Sequence, residues 1–463
     1  MKQTLLLLGS FFLLQQDLWA QLDLGSHFLN GTWQANQTNP ALLPDQKVTL
    51  ALPSIYGYTQ VTGFQYNDLV GKNAQGKTVL NIDNAISKMD AQNYLRNRVD
   101  LGTFGIGVRA GNWFISAGHS IRFNSFIQYP RELAQLAWKG NSQFIGQTIQ
   151  ISPSFVNQGY HEIALGLSYS PSPLISFGAR FKVLNGFGDV SSIHNDIRLS
   201  TSSDIYQIGV QADFALNATG DLQYKNFSSF KPKIDFGGFT GSRAWTSNYG
   251  YAIDLGFSGQ FGPLEIAGSV LNLGSIRWQK DVSNLTVKGN YAYNGLDIFP
   301  NILKDSLNLN KVIDTLEAKV NIVQTQSPYI TALPLTAFLS AAFKIGETWR
   351  LGALLYADRY RNITSPAIGL SASLRLGEAL TVGGIYTIRN NTYNNFGVNF
   401  KLKAGPVQLI GATDNLLALV KINNTISANV RLGLNVVIGS IDEEGNQGKK
   451  RKRSVRNPNF FKR

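Results

Sequence analysis

In the segment His161–Ser170, HEIALGLSYS, every second residue is apolar. Ile163, Leu165, Leu167 and Tyr169 fall on one side, and Glu162, Ala164, Gly166 and Ser168 on the other. A two-residue period puts these sets on opposite faces of a β-strand. The pattern recurs along the chain. Ile175, Phe177, Phe181 and Val183 alternate with Ser176, Gly178, Arg180 and Lys182, and Ile253, Leu255 and Phe257 alternate with Asp254, Gly256 and Ser258. Later, Phe396, Val398, Phe400 and Leu402 alternate with Gly397, Asn399, Lys401 and Lys403, and Val430, Leu432, Leu434 and Val436 alternate with Arg431, Gly433 and Asn435. The polar face keeps charges (Glu162, Arg180, Lys182, Asp254, Arg375, Lys401, Lys403 and Arg431) but is also rich in Gly and Ser. That mixture suits the crowded, hydrated inside of a barrel whose apolar face meets lipid. The expected fold class is therefore all-β, a transmembrane antiparallel β-barrel of about 14 to 16 strands.

The amino terminus agrees. Met1-Lys2 is a short basic region, Leu5 to Leu14 is apolar, and Leu18-Trp19-Ala20 offers a cleavage site, so residues 1–20 read as an export signal. No later run reaches the roughly 18 apolar residues of a membrane helix. With export and no spanning helix, strands must span, and a sheet in hydrocarbon must close to satisfy its backbone. The expected site is the outer membrane, with its lipid as a partner and both termini periplasmic. The chain has 45 Gly, 27 Phe and 18 Tyr, which suit barrel corners and interfacial aromatic girdles, and no Cys, which removes disulfides, Cys-based metal sites and a lipoprotein anchor.

Short Gly/Pro/Asn breakers mark tight turns at 110–112, 171–173, 260–263, 345–347, 377–378 and 404–406. Longer connections are expected at 127–157, 217–247, 275–328, 361–365 and 414–426. The runs at 190–216 read either as ladder strands or as an extracellular extension. The first outer loop includes PRELAQLAW, Pro130 to Trp138, where Pro precedes helix formers. The organisation is then 1–20 signal, 21–46 an amino-terminal hatch-like segment inside the barrel, 47–439 the barrel, and 440–463 a tail.

That tail supplies +5 of the formal net +13, from eight basic and three acidic residues. Charge blocks of this kind are usually solvated. Two readings stand: a disordered extension, or a periplasmic anchor in which Lys449, Lys450, Arg451, Lys452 and Arg453 contact an acidic protein or anionic envelope surface. Nucleic acid is not an expected partner, since export removes it from reach.

Four blocks carry a family resemblance: FLNGTWQANQTNPALLP (Phe28–Pro44), YHEIALGLSYSPSPLISFGARFKVLNGFGDV (Tyr160–Val190), EIAGSVLNLGSIRW (Glu265–Trp278) and GPVQLIGATDNLLAL (Gly405–Leu419). In this order they resemble a Bacteroidota family of outer-membrane barrels of unassigned function, related to the FadL and PorV types. The resemblance implies an amino-terminal hatch in which Asn39, Pro40 and Ala41 govern access. It also implies one of two roles. FadL-like barrels pass hydrophobic molecules through a lateral opening. PorV-like barrels serve type IX secretion through protein partners. The basic tail fits neither pattern.

No catalytic or cofactor signature appears. The histidines His27, His119, His161 and His194 show no metal-ligand spacing, and no phosphate loop lies between a strand and a helix. His161 keeps the lipid-facing register and is expected at a barrel rim. The lumen-facing charges read either as a salt-bridged interior or as a positive lining for an anionic headgroup. The expected function is a non-enzymatic channel for small hydrophobic or amphipathic molecules, or else a scaffold that works through an envelope protein partner.

Overall fold

The structure, a computed structural model, describes residues 24–204, 206–219, 245–293, 321–360, 363–389, 392–420 and 425–440. The expected signal at 1–20, the first hatch residues and the tail with Lys449 to Arg453 lie outside the described residues.

The alternating runs form a closed antiparallel barrel of 14 strands. We number them β1 (Gln46–Ala51 with Ser54–Val61), β2 (Gln92–Ala110), β3 (Trp113–Pro130), β4 (Ser154–Ser172) and β5 (Ile175–Thr201). Next come β6 (Ile208–Thr219 with Tyr249–Phe261), β7 (Leu264–Trp278 with Val282–Tyr293) and β8 (Asn321–Thr325, Tyr329–Ala332 and Leu335–Ile345). The last six are β9 (Trp349–Tyr360), β10 (Ile363–Leu376), β11 (Leu380–Arg389), β12 (Thr392–Ala404), β13 (Val407–Thr413) and β14 (Ser427–Ser440). Each strand pairs with its neighbour in sequence. β14 closes the ring on β1 through Val48↔Ile438 and Ile55↔Leu432.

The tight turns fall where the breakers put them. Gly111, Gly262, Gly346, Gly377 and Gly405 adopt φ between 58° and 64°, the left-handed region a side chain disfavours. At the other end the connections vary: 361–362 and 390–391 are two residues long, so the longer connection expected at 361–365 is instead mostly strand, while others are long. The first of these is 62–91, which the alternation leaves unmarked; it holds the hairpin Val70–Lys72 with Thr78–Leu80 and the helix Ile82–Lys88. The helix expected after Pro130 is present as Arg131–Lys139.

The outward set is exposed as a continuous apolar belt: Leu165, Leu167, Phe177, Leu255, Leu351, Leu370, Leu402 and Leu432 are each between 42% and 55% exposed. A patch that encircles the molecule is untenable in water and matches a lipid contact. Trp113, Tyr169, Phe261 and Trp349 ring the tight-turn end. Among the described residues no helix is long and apolar enough to cross a membrane.

Part of the loop expected at 275–328 proves to be sheet, and the run at 190–216 takes the extension alternative. The outer half of β5 pairs with Ile208–Thr219, which pairs with Val282–Tyr293, which pairs with Asn321–Thr325. The strand run at 190–216 and part of the 275–328 connection thus build an extension beyond the belt. Its small core joins Val190, Leu216, Ala218 and Leu285. The extension keeps a buried inner face, with Leu285 4% and Val287 7% exposed, while Thr286 and Lys288, which alternate with them, are exposed. Residues 220–244 and 294–320 lie outside the described residues.

Candidate functional site

Residues 24–45 occupy the barrel interior as a plug, with two short helices, α1 (Leu24–His27) and α2 (Trp33–Thr38). The Leu24 and Gly25 amides donate to the Asp414 carboxylate at 3.3 and 2.7 Å. Gln34 and Asn435 exchange side-chain amide bonds at 3.2 and 3.0 Å.

The tightest anchor is the turn that the sequence marks as a hatch. Asn39 Nδ2 donates to the carbonyls of Phe257 on β6 and Gly268 on β7, both at 3.1 Å, while its Oδ1 accepts from the Ala41 amide at 2.8 Å. Ser168 of β4 donates to the Pro40 carbonyl at 2.7 Å. This approach is possible because Gly178 and Gly256 face it. A Cβ on Gly178 would lie 2.4 Å from the Pro40 carbonyl carbon, and one on Gly256 would lie 2.1 Å from Asn39 Oδ1. Polar faces rich in glycine therefore have a steric cause here: the wall is thinned where the plug touches it.

His27 is buried at the end of α1. Its Nδ1 bonds Thr38 Oγ1 and its Nε2 bonds Ser340 Oγ, both at 2.9 Å, and its ring stacks on Phe338. Thr38 donates its hydroxyl to the Ala35 carbonyl, so its oxygen accepts from Nδ1–H, and the neutral imidazole then takes the Ser340 hydroxyl at Nε2. Burial, and secondarily the charge of Arg350, lower its pKa from 6.5 to about 3.

Below the outer mouth a ladder of charge crosses the inner wall from β2 to β6. Arg98 pairs with Asp100 at 2.7 Å, Asp100 with Arg122 at 2.5 Å, Arg122 with Glu162 at 2.9 Å, and Glu162 with Lys182 at 3.7 Å. Lys182 and Arg180 both reach Asp254, at 2.8 and 3.0 Å. Arg180 then donates to the backbone and side-chain oxygens of Asn36 in α2, at 2.7 and 2.9 Å. The plug is docked onto one end of this ladder. Of the eight lumen-facing charges expected from sequence, Glu162, Arg180, Lys182 and Asp254 come together. Arg431 lies nearby over the Tyr56 ring at 4.6 Å. Lys401 reaches the Asn30 carbonyl and Asp45, both at 3.4 Å. Arg375 and Lys403 stand instead at the tight-turn end, on the Gly377 carbonyl and Glu378. Alternation gives a residue's face, not its height along the axis.

Sequence reasoning misses Arg98, Asp100 and Arg122, although the even-numbered charges in RNRVD carry the signal. It also misses Arg96, which bonds Asp358 near the outer mouth.

Among the described residues, ladder pairing in the wall lapses beside Leu333–Pro334 and beside Leu52–Pro53, where two bulges meet. Relative to β14, strand β1 carries an extra residue at Leu52–Pro53. Relative to β3, strand β2 carries one at Thr103. Pairing between β1 and β2 runs up to Ala51↔Gly105 and resumes at Ser54↔Gly102, leaving Leu52 and Pro53 without ladder partners on β2. Pro53 has no N–H to offer, which suits a bulge. The internal cavity is lined by Trp33, Arg98, Arg122 and Tyr356, yet it also reaches Leu52, Phe104 and His119, which belong to the outer face. It holds about 100 Å³, against about 790 Å³ for the groove just outside, lined by Pro53, Thr103, Ile121 and Leu432. His161 lines that groove too. It keeps its outward register but sits at mid-strand and is buried, not at a rim, because Phe187 and Trp245 cover it.

A family model described as a family of unknown function (DUF5723) matches residues 40–414. The chain belongs to this family. No curated protein matches the sequence. Among solved structures, the toluene transporter TodX of Pseudomonas putida is similar at 10% identity and a TM-score of 0.41, covering 86% of this chain and 91% of that one. A Pseudomonas aeruginosa FadL homologue is similar at 8% identity and a TM-score of 0.38, covering 91% and 99%. The translocator domain of the autotransporter NalP from Neisseria meningitidis is similar at 8% identity and a TM-score of 0.29, covering 84% and 88%. Likenesses this loose carry no weight in assigning a function.

Proposed function

We propose that this protein is a plugged outer-membrane channel for small hydrophobic or amphipathic molecules, and that cargo passes between lumen and membrane through the seam beside Pro53. The observation that carries this reading is the coincidence of the two bulges with a cavity that begins at the plug and reaches outer-face residues. Asn39, Pro40 and Ala41 hold the plug in place and thereby control access. The charge ladder is the plug's receptor: its members are paired with one another and with Asn36, so they act first as a rigid wall. Removing cations from this ladder would then disturb plug docking before it changed cargo preference. No residue in this reading is catalytic.

The volume of the cavity beside the plug bears on how cargo would pass. Ligand pockets are typically about 300–1,000 Å³. A cavity of about 100 Å³ is below that range, while the outer groove at about 790 Å³ is within it. The cavity beside the plug is too small for such a cargo, so in this reading transport requires the plug to shift.

That same filled interior favours a second reading, a PorV-like scaffold that binds envelope proteins through its outer extension and basic tail, with no passage at all. Uptake of the dye N-phenyl-1-naphthylamine by intact cells with a barrier outer leaflet separates the two. A channel raises the uptake rate over that of cells lacking the protein. A scaffold leaves it unchanged, and co-purification of a stoichiometric envelope protein would then assign the role.

A further inference from the structure

The outer-wall groove contains a polar feature that neither the plug nor the charge ladder uses. Thr103 Oγ1 lies 2.7 Å from His119 Nδ1, and His119 Nε2 lies 3.2 Å from His161 Nδ1. The three residues form a hydrogen-bonded relay on the lipid-facing side, at the level of the seam. The rings of Phe104, His119, His161 and Trp245 stack in sequence along it. The relay ends on His161 Nε2, which meets no hydrogen-bond partner among the described residues although the residue is only 6% exposed. An unpaired ring nitrogen in apolar surroundings is costly, and structures rarely leave one without a reason. The groove around it is otherwise apolar, with Pro53, Ile55, Leu101, Ile121, Leu409 and Leu432. Trp245, 55% exposed, is the side chain that a ligand would displace to reach the nitrogen.

We propose that this groove binds an apolar molecule bearing one uncharged hydroxyl, an alcohol or a phenol, whose hydroxyl pairs with His161 Nε2. This rests on the channel reading and names its substrate class. A hydroxyl fits for two reasons. The relay has two settings: the Thr103 hydroxyl donates to His119 Nδ1, which leaves His161 Nε2–H as a donor, or it donates to the His119 carbonyl at 3.1 Å and accepts from Nδ1–H, which leaves His161 Nε2 as an acceptor. A hydroxyl both donates and accepts, so it satisfies either setting. A carboxylate satisfies only one, and it must also give up its hydration beside lipid at far greater cost.

The test uses the full-length protein in nanodiscs, with empty nanodiscs subtracted, in equilibrium dialysis against 2-naphthol, 2-methylnaphthalene and 2-naphthoate. The three share one ring system and differ only in the polar group. Wild type is expected to bind naphthol about five- to tenfold tighter than methylnaphthalene, as one buried hydrogen bond provides. His161→Phe keeps a ring and should erase that preference. Thr103→Val, which cuts the relay at its far end, should reduce it. In protein with ¹⁵N-labelled histidine, naphthol should move the His161 Nε2 resonance, a readout independent of the variants' folding. Equal binding of naphthol and methylnaphthalene to wild type, or tighter binding of naphthoate than of naphthol, overturns the proposal. Dye uptake by the same variants separates the two readings. Uptake that persists with no naphthol preference removes only the hydroxyl site. A naphthol preference without any dye uptake keeps the site and removes the channel.

Discussion

One nitrogen of Arg96, on β2, bonds both carboxylate oxygens of Asp358, on β9, at 2.7 and 3.2 Å. These strands stand opposite each other in the ring, so the pair bolts the lumen across its width. Tyr94, Phe126 and Tyr360 pack around it. The two charged side chains are 4% and 0% exposed. Breaking such a pair leaves an uncompensated buried charge, at a cost of about 3–5 kcal/mol. Asp358→Asn should therefore lower the urea midpoint of barrel unfolding markedly. The double change Arg96→Met with Asp358→Leu should recover most of the loss, because it removes the stranded charge. A double variant no more stable than the single one would show that the pair itself, rather than the orphaned charge, supplies the stability.

Plug docking depends on a few close contacts, and Asn39 holds three of them. Asn39→Ala loses the bonds to Phe257, Gly268 and Ala41. Exposure of the amino-terminal segment to protease should rise roughly tenfold or more, since each buried bond is worth about 1 kcal/mol. Gly178→Val should act in the same direction for a steric reason, as its side chain would occupy the space of the Pro40 carbonyl. Unchanged cleavage rates in both variants would mean that the plug is held elsewhere.

Acid should loosen the plug through His27. A displaced plug returns this histidine to water and an ordinary pKa of 6.5, whereas the docked one has it at about 3. Between those values the displaced form binds a proton that the docked form refuses, so docking weakens as pH falls from 6.5 toward 3 and loses nothing further below that. Each pH unit in the window costs at most about 1.4 kcal/mol. Single-channel conductance in planar bilayers should increase from pH 7 to pH 4.5 in wild type. His27→Gln, which keeps hydrogen-bonding atoms and does not titrate, should show no such increase. A wild-type conductance flat across this range would place His27 outside the gating path.

The strand count, the tight turns, the helix after Pro130 and the inward face of Glu162, Arg180, Lys182 and Asp254 were legible because a lipid-facing strand has strong contrast between its two sides. Val282–Tyr293 escapes sequence reasoning although Leu285 and Val287 alternate with Thr286 and Lys288, because the connection around it reads as one polar loop, and Asn321–Thr325 is too short to carry a period. The contrast fails where a bulge shifts parity. Leu50 and Leu52 point outward on even numbers, whereas Ile55 does so on an odd one. Alternation alone reads Pro53 as a strand break, not as half of a seam whose other half, Thr103, lies far along the chain. The pairing of His119 with His161 is likewise a matter of register between β3 and β4, which period cannot supply.

The seam itself is open to a direct measurement. Leu52 and Phe104 would be opposite partners if the register on either side continued through them, and both point outward. The chain contains no cysteine, so Leu52→Cys with Phe104→Cys introduces a single pair. Opposed residues in antiparallel strands are about 4.5–5.5 Å apart at Cα, within disulfide reach. Oxidation of this variant in intact cells should bring dye uptake down to the level of cells lacking the protein, and reduction should restore it. Uptake unaffected by a fully formed disulfide would contradict passage through the wall at Pro53.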